Sequence, residues 1–323
     1  MQVKKLFIPS LLVHWTKVSI IFMLLFNWSD MADYRVLARQ HPVIRDYIRH
    51  RSWVDRSGVL AYAPKTDCAA FSIDAFGFRR GQIDGKTFDL NAAFSGQPYA
   101  MVLGSSHVFG FGLASDAHTI PSQLAAQTGL ACLNLSFPEA QLQSLYAVAM
   151  RVCAQAPRPP AFIALLPGGT LTRYSFVRSC DGLFGVPDFR NGAIANIPPG
   201  SAQEKTAFAA LLTYARLWTQ QIAFLAKAQG CPFIFHPEYT AFEKPQLSDD
   251  EKAAAVTAPQ SDADRLRFDT HRLRYAAYTK AIWQDVPPTA QVVTVNPADL
   301  TYLDEFHYTA NGAAQIATAL MNA

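Results

Sequence analysis

The sequence predicts an α/β protein, a three-layer α/β/α sandwich around a five-stranded parallel sheet. Three observations lead there. From Tyr99 onward, short apolar runs alternate with longer segments of helical periodicity, the pattern of βαβ units. The apolar runs are continuous instead of alternating, as in strands covered on both faces. Half of the 323 residues are hydrophobic and 12% are aromatic, enough for a large core and against wholesale disorder.

The elements follow in order. Lys4 and Lys5 lead into an apolar stretch that runs from Leu6 to Trp28 with Lys17 inside it. Its longest uncharged piece, Val18–Trp28, is shorter than the roughly 20 residues that span a bilayer. Taken whole, residues 1–28 are read as an uncleaved signal-anchor in which Lys17 snorkels to an interface. A cleaved signal peptide lacks an A-x-A site, and a buried N-terminal helix is the third alternative. Residues 29–98 form an extension packed on the main unit. Ser29–Arg51 reads as an amphipathic helix broken near Pro42, and Val54–Pro98 as irregular chain. The main unit covers residues 99–323.

Its strand candidates are Tyr99–Leu103, Ala131–Leu135, Ala161–Leu166, Pro232–His236 and Gln291–Val295, each bounded by Gly, Pro or polar residues. Helices are expected between them. Ile120–Thr128 follows Thr119, has Pro121 in its first turn and stops at Gly129. Glu139–Gln155 carries Leu142, Leu145, Tyr146 and Ala149 at one-face spacing. Ala202–Gln229, Ala263–Gln284 and a last helix ending near Met321 complete the set, the last with Thr309 as N-cap. Trp218 and Trp283 stand at amphipathic spacing and read as core. Tyr239–Asp262 is polar, and reads either as a flap over a site or as a solvated insertion.

Charge and cysteine content exclude several functions. The net charge of +3 and the lack of a basic stripe interleaved with aromatics speak against a nucleic-acid partner. No two of the five cysteines form C-x-x-C, so neither a zinc site nor a redox pair is expected, and no cofactor is implied. Cys132 and Cys231 lie in apolar runs and read as buried thiols; Cys68, Cys153 and Cys180 leave room for one disulfide.

In an open parallel sheet, chemistry sits beyond the carboxyl ends of the strands. After the first strand comes Gly104-Ser105-Ser106-His107, and after the last comes Asp304-Glu305-Phe306-His307. A serine hydroxyl needs a base within hydrogen-bond reach, and that base needs a carboxylate to fix its tautomer. Ser106 is the candidate nucleophile, His307 the base and Asp304 the orienting acid, ahead of Glu305. Val108 stands where a G-x-S-x-G elbow needs Gly. No G-K-[ST] follows, as a phosphate loop requires. Gly110-Phe111-Gly112 lacks the third glycine of a dinucleotide fingerprint. His107, Arg173 and His236 lie near the same edge and are candidate substrate contacts; Arg178 and Glu238 are close by in sequence.

These segments resemble the SGNH or GDSL-like hydrolases, which carry a G-D-S block after the first strand and a D-x-x-H block before the last helix. The first block reads VLGSSHVFGFGL at 102–113, the last YLDEFHYTANGAAQIA at 302–317. The likeness extends to LNLSFPEA at 133–140, LLPGGTLTR at 165–173 and FSIDAFGFRRG at 71–81. The last is similar to the segment that precedes the fold in membrane-anchored bacterial members. The resemblance implies a flavodoxin-like sheet and the triad Ser106, Asp304 and His307. It implies oxyanion donors at the N–H groups of Ser106 and Ser136. The sequence departs from the family at three places. Ser105 replaces the Asp of G-D-S, and Ser136 a Gly of the second block. Gly169 or Thr170 stands where the third block offers Asn, and losing one such donor costs about 2.7–4 kcal/mol in catalysis.

The resemblance implies an ester hydrolase, or an acyltransferase, acting on O-acylated carbohydrate or a similar ester. With the N-terminal segment it implies a protein anchored in the inner membrane and facing the periplasm, or secreted. The competing expectation is a catalytically degenerate protein that binds a glycan or partner in polysaccharide assembly.

Overall fold

Tyr99–Gly104 is enclosed along its whole length, and its alternating side chains supply the two hydrophobic cores on either side of the sheet. Tyr99, Met101 and Leu103 belong to one core; Ala100 and Val102 belong to the other. A strand whose successive side chains point to opposite faces can do this only if each face is covered.

The computed structural model describes residues 42–50, 54–55, 60–138, 140–168, 200–249, 251, 280–281, 283–284, 286–304 and 306–323. In chain order its helices are α1 (Pro42–Arg49), α2 (Asn91–Phe94), α3 (Ser106–Phe109), α4 (Ile120–Thr128), α5 (Leu142–Gln155), α6 (Ala202–Ala228) and α7 (Ala310–Met321). Its strands are β1 (Val54–Asp55), β2 (Leu60–Ala61), β3 (Gly81–Ile83), β4 (Lys86–Phe88), β5 (Tyr99–Gly104), β6 (Ala131–Asn134), β7 (Ile163–Leu166), β8 (Phe233–Phe235) and β9 (Ala290–Val292). Five of these form one sheet in the order β6-β5-β7-β8-β9, every neighbouring pair parallel.

Helices α5 and α6 cover one face, through Leu142, Leu145, Ala149, Val152, Leu211, Ala215 and Ile222. The other face is covered by α4 and α7, through Ile120, Leu124, Ala313, Ile316, Ala317 and Leu320. This is the expected three-layer α/β/α sandwich with a five-stranded parallel sheet. Numbered along the chain, the sheet strands run 2-1-3-4-5, the flavodoxin-like order, and the direction of winding reverses at β5. A crevice at the carboxyl end of β5, beside β7, is where such a sheet binds ligands.

Local chemistry explains the elements. Thr119 caps α4, its side chain accepting from Ser122 N, with Pro121 in the first turn and Gly129 ending the helix at φ 70°. Thr309 caps α7 by accepting from Gly312 N. Pro42, where a break in the helical pattern is expected, is the first residue of α1, a place where a missing N–H costs nothing; residues 29–41 lie outside the described residues. Upstream of the sheet the expected irregular chain contains two short antiparallel pairs, β1 with β2 and β3 with β4.

Three expectations need correction. The fifth strand, expected to be covered on both faces, is the sheet edge, and Val292 on it is 51% exposed. The polar stretch after β8 is pinned over its described part: Lys244 Nζ bonds both oxygens of Glu251 at 2.7 and 2.8 Å and Leu300 O at 2.7 Å, all buried. Cys231 is half-buried instead of enclosed, and Cys68 and Cys153 are free thiols. Among the described residues no helix is long and apolar enough to cross a membrane. The expected anchor at 1–28, Cys180 and most of the expected helix at 263–284 lie outside the described residues.

Candidate active site

Gly104 ends β5 because no larger residue fits. A β-carbon there would lie 2.3 Å from Val108 Cγ2 and 2.8 Å from Leu166 O. The chain turns at once into α3, with Ser105 extended as its N-cap and Ser106 as its first residue. The second component lies at the tip of a loop closed by the Tyr302–Tyr308 bridge. Leu303 N donates to His307 O at 2.6 Å. Inside this turn Asp304 Oδ1 accepts from Phe306 N and His307 N, both at 2.8 Å, so Asp304 builds the turn that carries His307.

The structure brings the three sequence-predicted residues together. His307 Nε2 is 2.8 Å from Ser106 Oγ, across 201 residues of sequence, and His307 Nδ1 is 2.6 Å from Asp304 Oδ2. Asp304 and His307 are buried, while Ser106 is partly exposed. Burial alone would raise the Asp304 pKa. The facing His307 and the N–H donors of Phe306 and His307 outweigh it and hold the carboxyl below its ordinary range. A carboxylate at Nδ1 selects the tautomer protonated there, which leaves the Nε2 lone pair facing the serine hydroxyl. The arrangement can accept the Ser106 proton.

The other predicted positions separate. Ser136 lies just beyond β6, fully buried, and its Oγ donates to Val102 O at 3.3 Å. Its φ is not positive: among the described non-glycine residues only Lys65 and Asp84 have positive φ. Serine therefore stands at this position without the strain a left-handed conformation would impose. His107 turns inward, with Nδ1 3.4 Å from Ser105 Oγ and its ring edge-on to Tyr308. Burial first, then the neighbouring His307 and His236, push its pKa down to about 3. His236, at the carboxyl end of β8, is 1% exposed, with its ring edge-on to Tyr239. Burial pushes its pKa down to about 4. Its Nε2 has no hydrogen-bond partner among the described residues. Gly169, Thr170, Arg173, Arg178 and Glu305 lie outside the described residues.

Two supports of the site were missed by sequence reasoning. Asn134, the last residue of β6, reaches beneath α3, and its Nδ2 donates to Val108 O and Phe109 O at 3.4 Å each. Its place as a polar residue ending an apolar strand is the signal that could have found it. Arg79, 2% exposed, donates to Gly110 O at 2.7 Å just past α3; nothing in FGFRRG marks it as buried. Among the described residues no group of three His, Cys, Asp or Glu side chains could hold a metal ion. Burial pushes the Cys132 thiol up to about 12 and those of Cys153 and Cys231 up to about 11, away from a reactive thiolate.

No protein-family model matches the chain, and no curated protein matches it. Several solved structures are similar in chain course. One is a carbohydrate esterase family 2 enzyme with a carbohydrate-binding domain from Corynascus thermopiles (Myceliophthora fergusii), at 14% identity and TM-score 0.38, covering 70% of this chain and 64% of that one. The match thus spans less than two thirds of that protein. A member of the lipolytic G-D-S-L family from Veillonella parvula shares 10% identity at TM-score 0.37, covering 69% of this chain and 96% of that one. An acetyl xylan esterase, AlAXEase, shares 9% identity at TM-score 0.37, covering 69% and 98%.

Proposed function

We propose that this protein is a serine ester hydrolase, or an acyltransferase, that acts through a covalent acyl-enzyme on Ser106. The observation that carries the reading is the unbroken hydrogen-bonded line from Ser106 Oγ through His307 to Asp304, at 2.8 and 2.6 Å. Nucleophile, base and orienter within bonding reach of one another are what acyl transfer by serine requires.

In the first step Ser106 Oγ attacks the ester carbonyl carbon and its proton passes to His307 Nε2. The oxyanion that forms faces the backbone N–H groups of Ser106 and Ser136. The imidazolium is stabilised by Asp304, whose carboxylate stays ionised. The tetrahedral species collapses, the C–O bond to the alcohol breaks, and His307 returns its proton to the departing alkoxide. Water, or a sugar hydroxyl in the transfer reaction, then attacks the acyl-serine while His307 takes its proton. Collapse of the second tetrahedral species frees the acid or new ester and returns the proton to Ser106. No cofactor enters.

The likeness of residues 102–113 and 302–317 to the SGNH blocks supports an O-acylated carbohydrate, or a similar envelope ester, as substrate. The apolar segment at 1–28 supports a site held at the outer face of the inner membrane.

The test is fluorophosphonate labelling of the full chain, with the labelled residue mapped by mass spectrometry. Labelling at Ser106 that disappears in His307→Ala is expected. A folded protein that stays unlabelled would sink the enzyme reading in favour of a glycan-binding protein on the same fold.

A further inference from the structure

Arg79 is among the largest side chains completely enclosed in the molecule, and it lies outside the sheet. Nearly all its donor capacity converges on one place. Nε donates to Asp116 Oδ1 at 2.7 Å, and Nη2 to Ala70 O at 2.9 Å. Nη1 faces Tyr47 OH at 2.6 Å, Gly110 O at 2.7 Å and Phe109 O at 3.2 Å. The rings of Tyr47, Phe71 and Phe109 lie 5.6–5.8 Å from the guanidinium carbon. The Tyr47 hydroxyl lies 2.8 Å from Gly110 O and 2.7 Å from Leu113 O, and donates to one of them at a time. Burial pushes the Tyr47 pKa up to about 12, so it keeps that proton.

The segment held in this way, Gly110 to Leu113, touches both halves of the triad. Gly110 N and Phe111 N donate to Ser106 O at 3.0 and 2.9 Å. The Phe111 ring lies on His307, 4.8 Å between centroids, and on Tyr47 at 5.0 Å. A β-carbon on Gly112 would come within 2.9 Å of Leu303 Cδ1. A buried ion pair is no better a stabiliser than apolar residues of the same volume. What a guanidinium supplies is a rigid, donor-only fork that can pin several carbonyls at once.

We infer that Arg79, with Tyr47 and Asp116, is a positioning residue for the triad: it fixes the Gly110–Leu113 turn so that Phe111 braces His307 opposite Ser106. This rests on the hydrolase reading. Chain upstream of the sheet, which contributes no triad residue, would then set the rate of the reaction.

The experiment uses the full chain, with kcat and KM for 4-nitrophenyl acetate expressed per serine labelled by fluorophosphonate after exhaustive reaction. Counting reactive serines removes loss by unfolding. Arg79→Lys is expected to lower kcat about 10- to 100-fold with KM within about twofold, the scale of a misplaced catalytic group. Tyr47→Phe, which keeps the ring and the ion pair, is the variant that folds if Arg79→Lys does not, and it should lower kcat in the same direction. Phe111→Leu should lower kcat too. The double variant Tyr47→Phe/Phe111→Leu should then be no slower than Phe111→Leu alone, because both changes act through one contact. Losses that multiply, or single variants that keep kcat within about twofold, would overturn the positioning role while Ser106 labelling of the wild type keeps the hydrolase reading. A wild type that neither turns over nor labels overturns both.

Discussion

Gly168 packs closely against the imidazole of His107: a β-carbon at 168 would fall 2.1 Å from His107 Cε1 and 2.3 Å from Nδ1. The glycine follows β7, and the histidine follows Ser106. The end of β7 is thus shaped around the residue next to the proposed nucleophile. Gly168 has no positive φ, so its substitution is a purely steric event.

Gly168→Ala should therefore displace His107 and cost about 1–3 kcal/mol, the range of an overpacked core. Because one clash causes the loss, removing the ring should relieve it. Gly168→Ala/His107→Ala should be more stable than the sum of its single variants by about 0.5–3 kcal/mol, the coupling expected of touching residues. Urea denaturation of the four proteins measures this. Additive losses would mean that His107 is not what the glycine accommodates.

The two buried histidines predict a fall in stability on mild acidification. An unfolded chain takes up protons on histidine at about pH 6.5. The folded protein takes them up on His236 only near about 4 and on His107 only near about 3. Both groups therefore stabilise the fold fully above about 6.5, and each loses about 1.4 kcal/mol per pH unit below it. Glu243 acts in the opposite direction. Burial pushes its carboxyl up to about 7, so the folded state gains a proton there that the unfolded chain takes up only near about 4.3. Two protons against one leaves a net loss of about 1.4 kcal/mol per pH unit between about 6.5 and 4.5. Chemical denaturation at pH 7.5, 6 and 5 reads this slope, and His236→Phe should flatten it. A stability unchanged from 7.5 to 5 would show that the histidines are protonated in the fold.

Much of this site was legible in the sequence, because its parts are local. β5 is a continuous apolar run between Pro98 and Gly104, and the residues that follow such a run must lie at the carboxyl edge of a parallel sheet. Asp304 and His307 are three apart, so one turn suffices to join them, and the Thr309 cap fixes where the last helix begins. The supports were hidden, because their meaning lies in partners far along the chain. Arg79 is bonded to residues 32 and 37 positions away, Tyr47 and Asp116, and a charged residue beside a second arginine reads as surface. The edge position of β9 was hidden too: a strand's neighbours are set by the order of the sheet, which its own residues do not encode.

Lys244 and Glu251 show the same blindness in a stretch whose polar composition suggested either a flap over a site or a solvated insertion. Glu251 accepts not only from Lys244 but from Ser248 N at 2.8 Å and Tyr302 N at 3.1 Å. Lys244 also bonds Leu300 O. The pair thus ties the chain after β8 to the base of the loop that carries Asp304 and His307. Removing one partner leaves a charge buried without compensation, at a cost of about 3–5 kcal/mol, whereas replacing both with apolar groups is often close to neutral. Lys244→Met should therefore destabilise the protein by about that amount. Lys244→Met/Glu251→Met should recover most of the loss by filling the space with methylene groups. Recovery of stability need not restore the catalytic geometry, since the double variant no longer donates to Leu300 O or accepts from Tyr302 N. Thermal denaturation and Ser106 labelling measured on the same samples separate the two effects. A double variant as unstable as Lys244→Met would mean that the bonds to Leu300 and Tyr302, not the charge pair, hold this part of the fold together.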